Sequence, residues 1–497
     1  MASGNFVKNI VEVAKVVVLG AGVGGHTAAQ FLRKGLGKEH EVVVVSPNSN
    51  YQWIPSNIWV GVDRMKSREV IFSLKPLYER VGIEFKQAKV TTFHPEGKKG
   101  AEKPFVKIEY VSGSQKGQLE EVTYDYLINA TGPKLDFDAT PGLIPGENGT
   151  VSVCTYGHAE EASHALQQAI ARMKQGEKLR ILIGTGHPRA TCQGAAFEYI
   201  LNVENELRRH KVRGQATLTW ISNEPELGDF GVDGGLFNVF GKAVGNHDLV
   251  RQLFADRGIE WIIRAGVTSV EKGQVHYETL EGEFKTEVFD LAMLIPAFSG
   301  HGFKAFDVDG GDITDKLFRG FMIVDADYRA KPFEEWRVED WPDTYQNPNY
   351  PNIFAPGIAF APPHAISKPA QSPSGREIYP APPRTGMPSG ISARVVADNV
   401  VHMIKSGTKE LKHAASMGNM GAACVASGAF GLTKGRAITM TMYPIVPDYV
   451  KYPETKGRDF KNTVGEYGLA GHWIKLVLHY MFIYKAKMRP FWWLIPE

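Results

Sequence analysis

Three cysteines in 497 residues, Cys154, Cys192 and Cys424, are the side chains of this sequence best suited to redox or nucleophilic chemistry. Their number is odd and their spacing wide, which builds no disulfide framework and matches no zinc-ligand pattern. A cysteine without chemistry is a small buried hydrophobe, so the surroundings of each decide its reading. Cys192 stands in the turn Gly184-Thr-Gly186-His-Pro-Arg-Ala-Thr-Cys192, between the run Leu179 to Ile183 (LRILI) and a long helical stretch reaching His210. The partial positive charge at a helix N-terminus favours thiolate, so this is the expected place for nucleophilic sulfur.

Such a turn has a twin nearer the N-terminus. Lys15 to Leu19 is a short β-branched run with no charge inside, as a parallel strand buried on both faces requires. Gly20, Gly22 and Gly25 follow at once, and then a helical pattern. Gly20 permits the tight turn, Gly22 lets a pyrophosphate approach the backbone, and Gly25 lets helix and strand pack closely. A carboxylate should grip the ribose at the end of the next strand, about 20 residues on, but Ser46 stands there and offers only a hydroxyl. The run Tyr124 to Lys134 closes an apolar strand on Ala130, Thr131 and Gly132, which resembles the strand-end turn that many two-dinucleotide-domain flavoproteins place near the FAD and so implies FAD rather than NAD. At the second turn Arg189 replaces the third glycine of a nucleotide fingerprint, and the loop is built around Cys192 instead.

The 56 Lys+Arg and 54 Asp+Glu leave a formal charge of +2, with neither a basic stripe for nucleic acid nor an acidic tail. Residues 1–14 hold no apolar run of signal-peptide length, so no cleaved export sequence is expected.

On these motifs the chain resembles the sulfide:quinone oxidoreductases of the two-dinucleotide-domain flavoprotein superfamily, over nearly its whole length. The matching stretches are Ile54 to Val62, Tyr124 to Lys134, Ser152 to Glu160, Ala190 to Tyr199, Asn352 to Phe354, Arg384 to Met387 and Ala422 to Ala426. All three cysteines fall where that family keeps its three. The resemblance implies that Cys192 and Cys424 form a redox pair on one face of the flavin. It implies too that Cys154 is needed for sulfide oxidation, being bonded to the flavin in some members. His158 and Glu198 match groups near this chemistry, a histidine of ordinary pKa being able to exchange protons at neutral pH. Asn57, Thr385 and Gly386 join the cofactor residues. Sulfide would attack an oxidised Cys192–Cys424 bridge by thiolate exchange, leaving a persulfide that grows and leaves as polysulfide or sulfur. Asp229 stands where well-known members carry histidine, which implies either a base of lower pKa or a lost role.

The acceptor is read from the C-terminus. Leu469 to Ile495 is the most apolar and aromatic stretch, yet His472, Lys475, His479, Lys485, Lys487 and Arg489 interrupt it. No run reaches the about 18 uncharged residues of a spanning helix. His472, Lys475 and His479 fall on one side of a helical wheel, which predicts an amphipathic helix lying in the membrane interface, followed by a Phe491 to Trp493 anchor. The protein would be peripheral, or monotopic, on its membrane. By resemblance Lys475 lies near a quinone carbonyl. Leu478 replaces a quinone-stacking phenylalanine, and Ala423 a larger aliphatic residue.

The expected fold class is α/β, with two Rossmann-like dinucleotide-binding domains of the FAD-dependent disulfide-reductase type and a C-terminal amphipathic membrane-binding helical segment. Residues 14–150 form the first part of the FAD domain and 151–325 the second Rossmann-like domain. Residues 326–410 form a long loop and the return to the FAD domain, and 411–497 the C-terminal region. The Pro-rich stretches 325–350 and 366–383 read as loops that could cover the sulfur pocket or join protomers of a homo-oligomer. Two other readings share this fold: a type II NADH:quinone dehydrogenase, which needs an intact second fingerprint, and a non-catalytic flavin-binding membrane module. A cytochrome-linked sulfide dehydrogenase is disfavoured by the lack of an export signal and of a haem motif.

Overall fold

The computed structural model describes residues 13–383 and 385–497. The expectation about export therefore falls almost entirely outside the described residues, as does Arg384.

Lys15–Leu19 is the central strand of a five-stranded sheet, flanked by Glu41–Val45 and Tyr126–Asn129, with Glu84–Lys86 and Ile353–Phe354 at the edges. Every pairing in it is parallel. Val16, Val17 and Val18 of its central strand have no exposed surface, and each such burial stabilises by about 1.5–3 kcal/mol. Helix Val23–Leu36 leaves the first strand through the glycine turn and packs on helix Gly386–Ser406, so a late segment returns to the first sheet.

A second parallel sheet repeats the plan, in the order Thr150–Val151, Leu291–Ile295, Leu179–Thr185, Ala216–Ile221 and Ile259–Ile262. Helix Gln193–Arg209 follows its central strand. A third sheet runs Lys242–Gly245, Leu236–Val239, Val464–Gly468, Arg436–Met442 and Ala422–Ala429, and its last, edge strand lies against helix Gln193–Arg209. Cys192 and Cys424 thus arrive on two packed elements. The stretches 325–350 and 366–383 are irregular apart from the single turns Phe333–Glu335 and Val338–Asp340.

The C-terminal helix, Leu469–Ala486, lies on the third sheet with its polarity turned inward. His472, Lys475 and His479 are 0%, 7% and 2% exposed, whereas Trp473, Ile474, Val477 and Tyr480 are 48%, 46%, 55% and 59% exposed. The expected polar strip exists, and it faces protein. Its last carbonyls, which a helix leaves without partners, are met from the first helix: His26 Nε2 lies 2.7 Å from Ala486 O, and Gln30 Nε2 donates to Lys485 O at 3.0 Å. Among the described residues no helix is long and apolar enough to cross a membrane. Within the expected aromatic anchor, Phe491 and Trp493 are exposed but Trp492 is core, its ring 5.0 Å from Phe31.

Candidate active site

Cys192 caps the N-terminus of helix Gln193–Arg209 in a left-handed conformation, φ 64° and ψ 34°. A side chain other than glycine held there marks backbone strain of the kind that functional turns carry. Two residues on, a Cβ built on Gly194 would lie 3.4 Å from Cys424 Sγ, so the second sulfur rests on the first turn of the helix that Cys192 begins. Cys154 follows the short strand Thr150–Val151, and its amide donates to Ser152 Oγ at 3.1 Å. Burial pushes the Cys154 thiol up to about 11, and the neighbouring Cys192 adds to the rise. Cys424 is likewise pushed up to about 11, by burial first and then by Glu198 and Cys192, with Lys475 opposing. The charge of Cys192 thus bears on both of the other thiols.

Glu198, one and a half turns along the helix from Cys192, is buried and forms an ion pair with Lys475 of the C-terminal helix. Ser427 Oγ donates to the same carboxylate oxygen at 2.5 Å and the Ser427 amide at 3.2 Å. Lys475 Nζ also donates to Val425 O at 2.9 Å, one residue past Cys424. Lys475 is therefore no snorkelling lysine. Two residues assigned by sequence to opposite ends of the reaction meet here beside Cys424. Leu478 is half-buried one turn after Lys475, and Ala423 is exposed on the edge strand.

The residues expected to hold FAD fit it. A Cβ on Gly20, whose φ is +93°, would lie 2.3 Å from Ala130 O, and one on Gly25 would lie 2.1 Å from Gly20 O. Those two glycines serve the contact between the first turn and the Ala130–Gly132 turn. Gly22 meets nothing within 4 Å, so the space beside it is open to a ligand. Asn57 donates through Nδ2 to Val153 O at 3.1 Å while its buried Oδ1 has no partner among the described residues. Thr385 begins helix Gly386–Ser406 with no side-chain cap, and Gly386 is open. Burial lowers the pKa of His301, and the backbone at Thr131 and Gly132 opposes the shift. Ser46 Oγ accepts from Asn48 N at 3.2 Å, which leaves its proton to donate. We expect Gly22→Ala to fold and lose flavin, and Gly20→Ala to fail to fold, because the strain falls on the turn itself. Soluble yield and the flavin-to-protein absorbance ratio check both.

The second turn is built differently. A Cβ on Gly186 would lie 2.6 Å from Leu143 Cδ2, so protein already covers it. The stretch 366–383 is strapped across the rest: Tyr379 N donates to Pro188 O at 3.2 Å, and Thr191 Oγ1 donates to Pro382 O at 2.9 Å. Arg189 pairs with Glu377 at 2.5 Å and stacks 3.6 Å from the Tyr379 ring centroid.

Two expectations are corrected. His158 does not keep an ordinary pKa: burial lowers it, its ring packs edge-on to Phe137 at 5.8 Å, and its Nδ1 has no partner among the described residues. Asp229 is not a base of lower pKa. Burial pushes it up to about 7, against the bonds it accepts from Ser367 Oγ at 2.6 Å and Gly231 N at 2.8 Å. Trp59, Asn202 and Ser427 are site residues that sequence reasoning missed. Asn202 was accessible, since it stands four residues after Glu198 and so on the same helix face. Trp59 stands within the matching stretch Ile54 to Val62, whereas Ser427 carries no local signal.

The family described as "Pyridine nucleotide-disulphide oxidoreductase" matches residues 14–187. The sulfide-quinone reductase of Aquifex aeolicus is 30% identical over 392 residues, 79% of this chain and 77% of the relative. The solved structure of the Aquifex aeolicus sulfide:quinone oxidoreductase superposes with a TM-score of 0.70 at 26% identity, covering 96% of this chain and 92% of that one. NDH2 from Plasmodium falciparum, at TM-score 0.61 and 12% identity with 96% of each chain covered, shares the fold alone. The chain belongs to the sulfide:quinone oxidoreductase family.

Proposed function

We propose that this protein oxidises sulfide with the Cys192–Cys424 pair, carries the electrons through FAD and reduces a membrane quinone. The observation that carries the reading is the seating of Cys424 Sγ on the helix turn that Cys192 caps, with a buried Glu198–Lys475 pair alongside. In the oxidised pair, sulfide attacks one sulfur. The S–S bond breaks, a new S–S bond forms to the incoming sulfur, and the other cysteine leaves as thiolate. Burial and the Glu198 carboxylate oppose that thiolate, and the ammonium of Lys475 counters them in part. Each further sulfur joined to the chain gives up two electrons, which bound FAD would accept and pass to quinone, and polysulfide or sulfur then leaves. Bound FAD supplies a two-electron carrier between sulfur and quinone. Gly22, Asn57, Thr131, Thr385 and Gly386 would hold it, while Cys154, His158 and Glu198 serve the sulfur chemistry.

The outward Trp473, Ile474, Val477 and Tyr480, with exposed Leu432, Phe491 and Leu494 nearby, support a membrane-surface position from which quinone reaches Lys475 out of the lipid. Leu478 and Ala423 would shape the quinone's approach. The long loops leave room for contacts between protomers of a homo-oligomer.

The strap over residues 186–191 supports sulfide, not a nicotinamide nucleotide, as electron donor. The test is an anaerobic titration of the purified flavoprotein followed by flavin absorbance. Sulfide is expected to bleach the flavin and NADH to leave it oxidised; bleaching by NADH alone would overturn the proposal.

A further inference from the structure

Ser427 is fully buried, and its hydrogen bonds leave it no freedom. Its hydroxyl accepts from Trp59 Nε1 at 2.8 Å and from Asn202 Nδ2 at 2.9 Å, which fills both lone pairs. Its one proton is left for Glu198 Oε1, which also receives the Ser427 amide and Lys475 Nζ. Three donors converge on Oε1, and none of the described residues donates to Oε2. The same carboxylate lies between the Cys424 strand and the inward face of the C-terminal helix, where Lys475 stands 5.3 Å from the Trp59 ring centroid.

We propose that Glu198 and Lys475 form a proton bridge from the sulfur site to the quinone, with Ser427 as the positioning residue that reserves Glu198 Oε2 for exchange. The proposal rests on the sulfide:quinone reading above. A proton leaving sulfur at Cys424 breaks an S–H bond and makes an O–H bond on Oε2. At the other end a Lys475 N–H bond breaks as a quinone oxygen, charged by the electron pair that sulfide supplied, gains its hydrogen. Glu198 then returns its proton to the amine. Each passage moves one proton and leaves both residues as they began; reduction to quinol takes two. The titratable groups facing the pair are Cys424 on its strand, with Cys192 beside it, and His472 and His479 on the helix of Lys475.

Two measurements on the full-length flavoprotein test this. Alkylation of Cys424 by iodoacetamide in the reduced protein, followed on its own peptide across pH, reports the thiol's ionisation. Glu198→Gln removes a negative neighbour and is expected to speed alkylation at pH 8, whereas Lys475→Met is expected to slow it. In single turnovers, bleaching by sulfide and recovery on decylubiquinone are read separately. Glu198→Gln should slow recovery on the order of 100-fold, the usual worth of a positioned proton-transfer group. Ser427→Ala should slow it about tenfold, the worth of one charge-assisted hydrogen bond, and Ser427→Thr should restore most of it. Alkylation shifts of the same sign, or wild-type recovery in both Glu198→Gln and Ser427→Ala, would overturn the bridge alone. A wild-type protein that sulfide does not bleach would overturn the sulfide reading itself.

Discussion

Cys192→Ala is expected to slow flavin bleaching by sulfide on the order of 10⁴-fold or more, with the fold and bound flavin intact, because the Cys192–Cys424 bridge that sulfide attacks can no longer form. Cys424→Ala should lose as much, since thiolate exchange needs both an attacked sulfur and a leaving one. The two losses should not add, and the double variant should be no slower than either single variant, as expected of groups acting as one unit. Stopped-flow absorbance with excess sulfide measures all three. The structural reason is the shared location: Cys192 opens the helix on whose first turn Cys424 Sγ rests, and each thiol lies within reach of the other's charge. A Cys192→Ala protein that bleached at the wild-type rate would return the cysteines to being core residues.

The second large effect is on stability. Lys475→Met strands the Glu198 carboxylate in a buried site, and removing one partner of such a pair costs about 3–5 kcal/mol. Glu198→Gln/Lys475→Met should cost much less. The glutamine oxygen still accepts from the Ser427 hydroxyl and amide, and no buried charge is left unpaired. Denaturant midpoints of the single and double variants give the comparison. Equal losses in both would mean that the pair contributes little and that packing around the C-terminal helix dominates.

Much of the architecture was legible because each local signal agreed with the global one. Lys15–Leu19 and Leu179–Thr185 are β-branched or aliphatic runs, charged only near their starts at Lys15 and Arg180 and closed by glycines, and both become central strands of parallel sheets. The cysteines drew attention through type and spacing. The pairing of Glu198 with Lys475 was not legible, for they lie 277 residues apart and only the tertiary fold brings them together. The C-terminal helix shows the limit of periodicity. Its pattern places His472, Lys475 and His479 on one side, but periodicity does not say whether that side meets water or protein. Here the polar side is buried on Trp59, Ser56 and Glu198, and the apolar side is outward. Asp229 fails in the same way: its residue type promises a low pKa, and only its burial beside Ser367 reveals a value near that of histidine.

The most direct test of the central claim is a single anaerobic turnover of the wild-type flavoprotein, mixed with one equivalent of sulfide and then with decylubiquinone. Flavin absorbance, quinol formed and sulfur oxidised are counted together. The account predicts bleaching by sulfide, full recovery on quinone, and one quinol for each sulfur atom oxidised by two electrons. Flavin that stays oxidised with sulfide, or reduced flavin that quinone does not reoxidise, would contradict it.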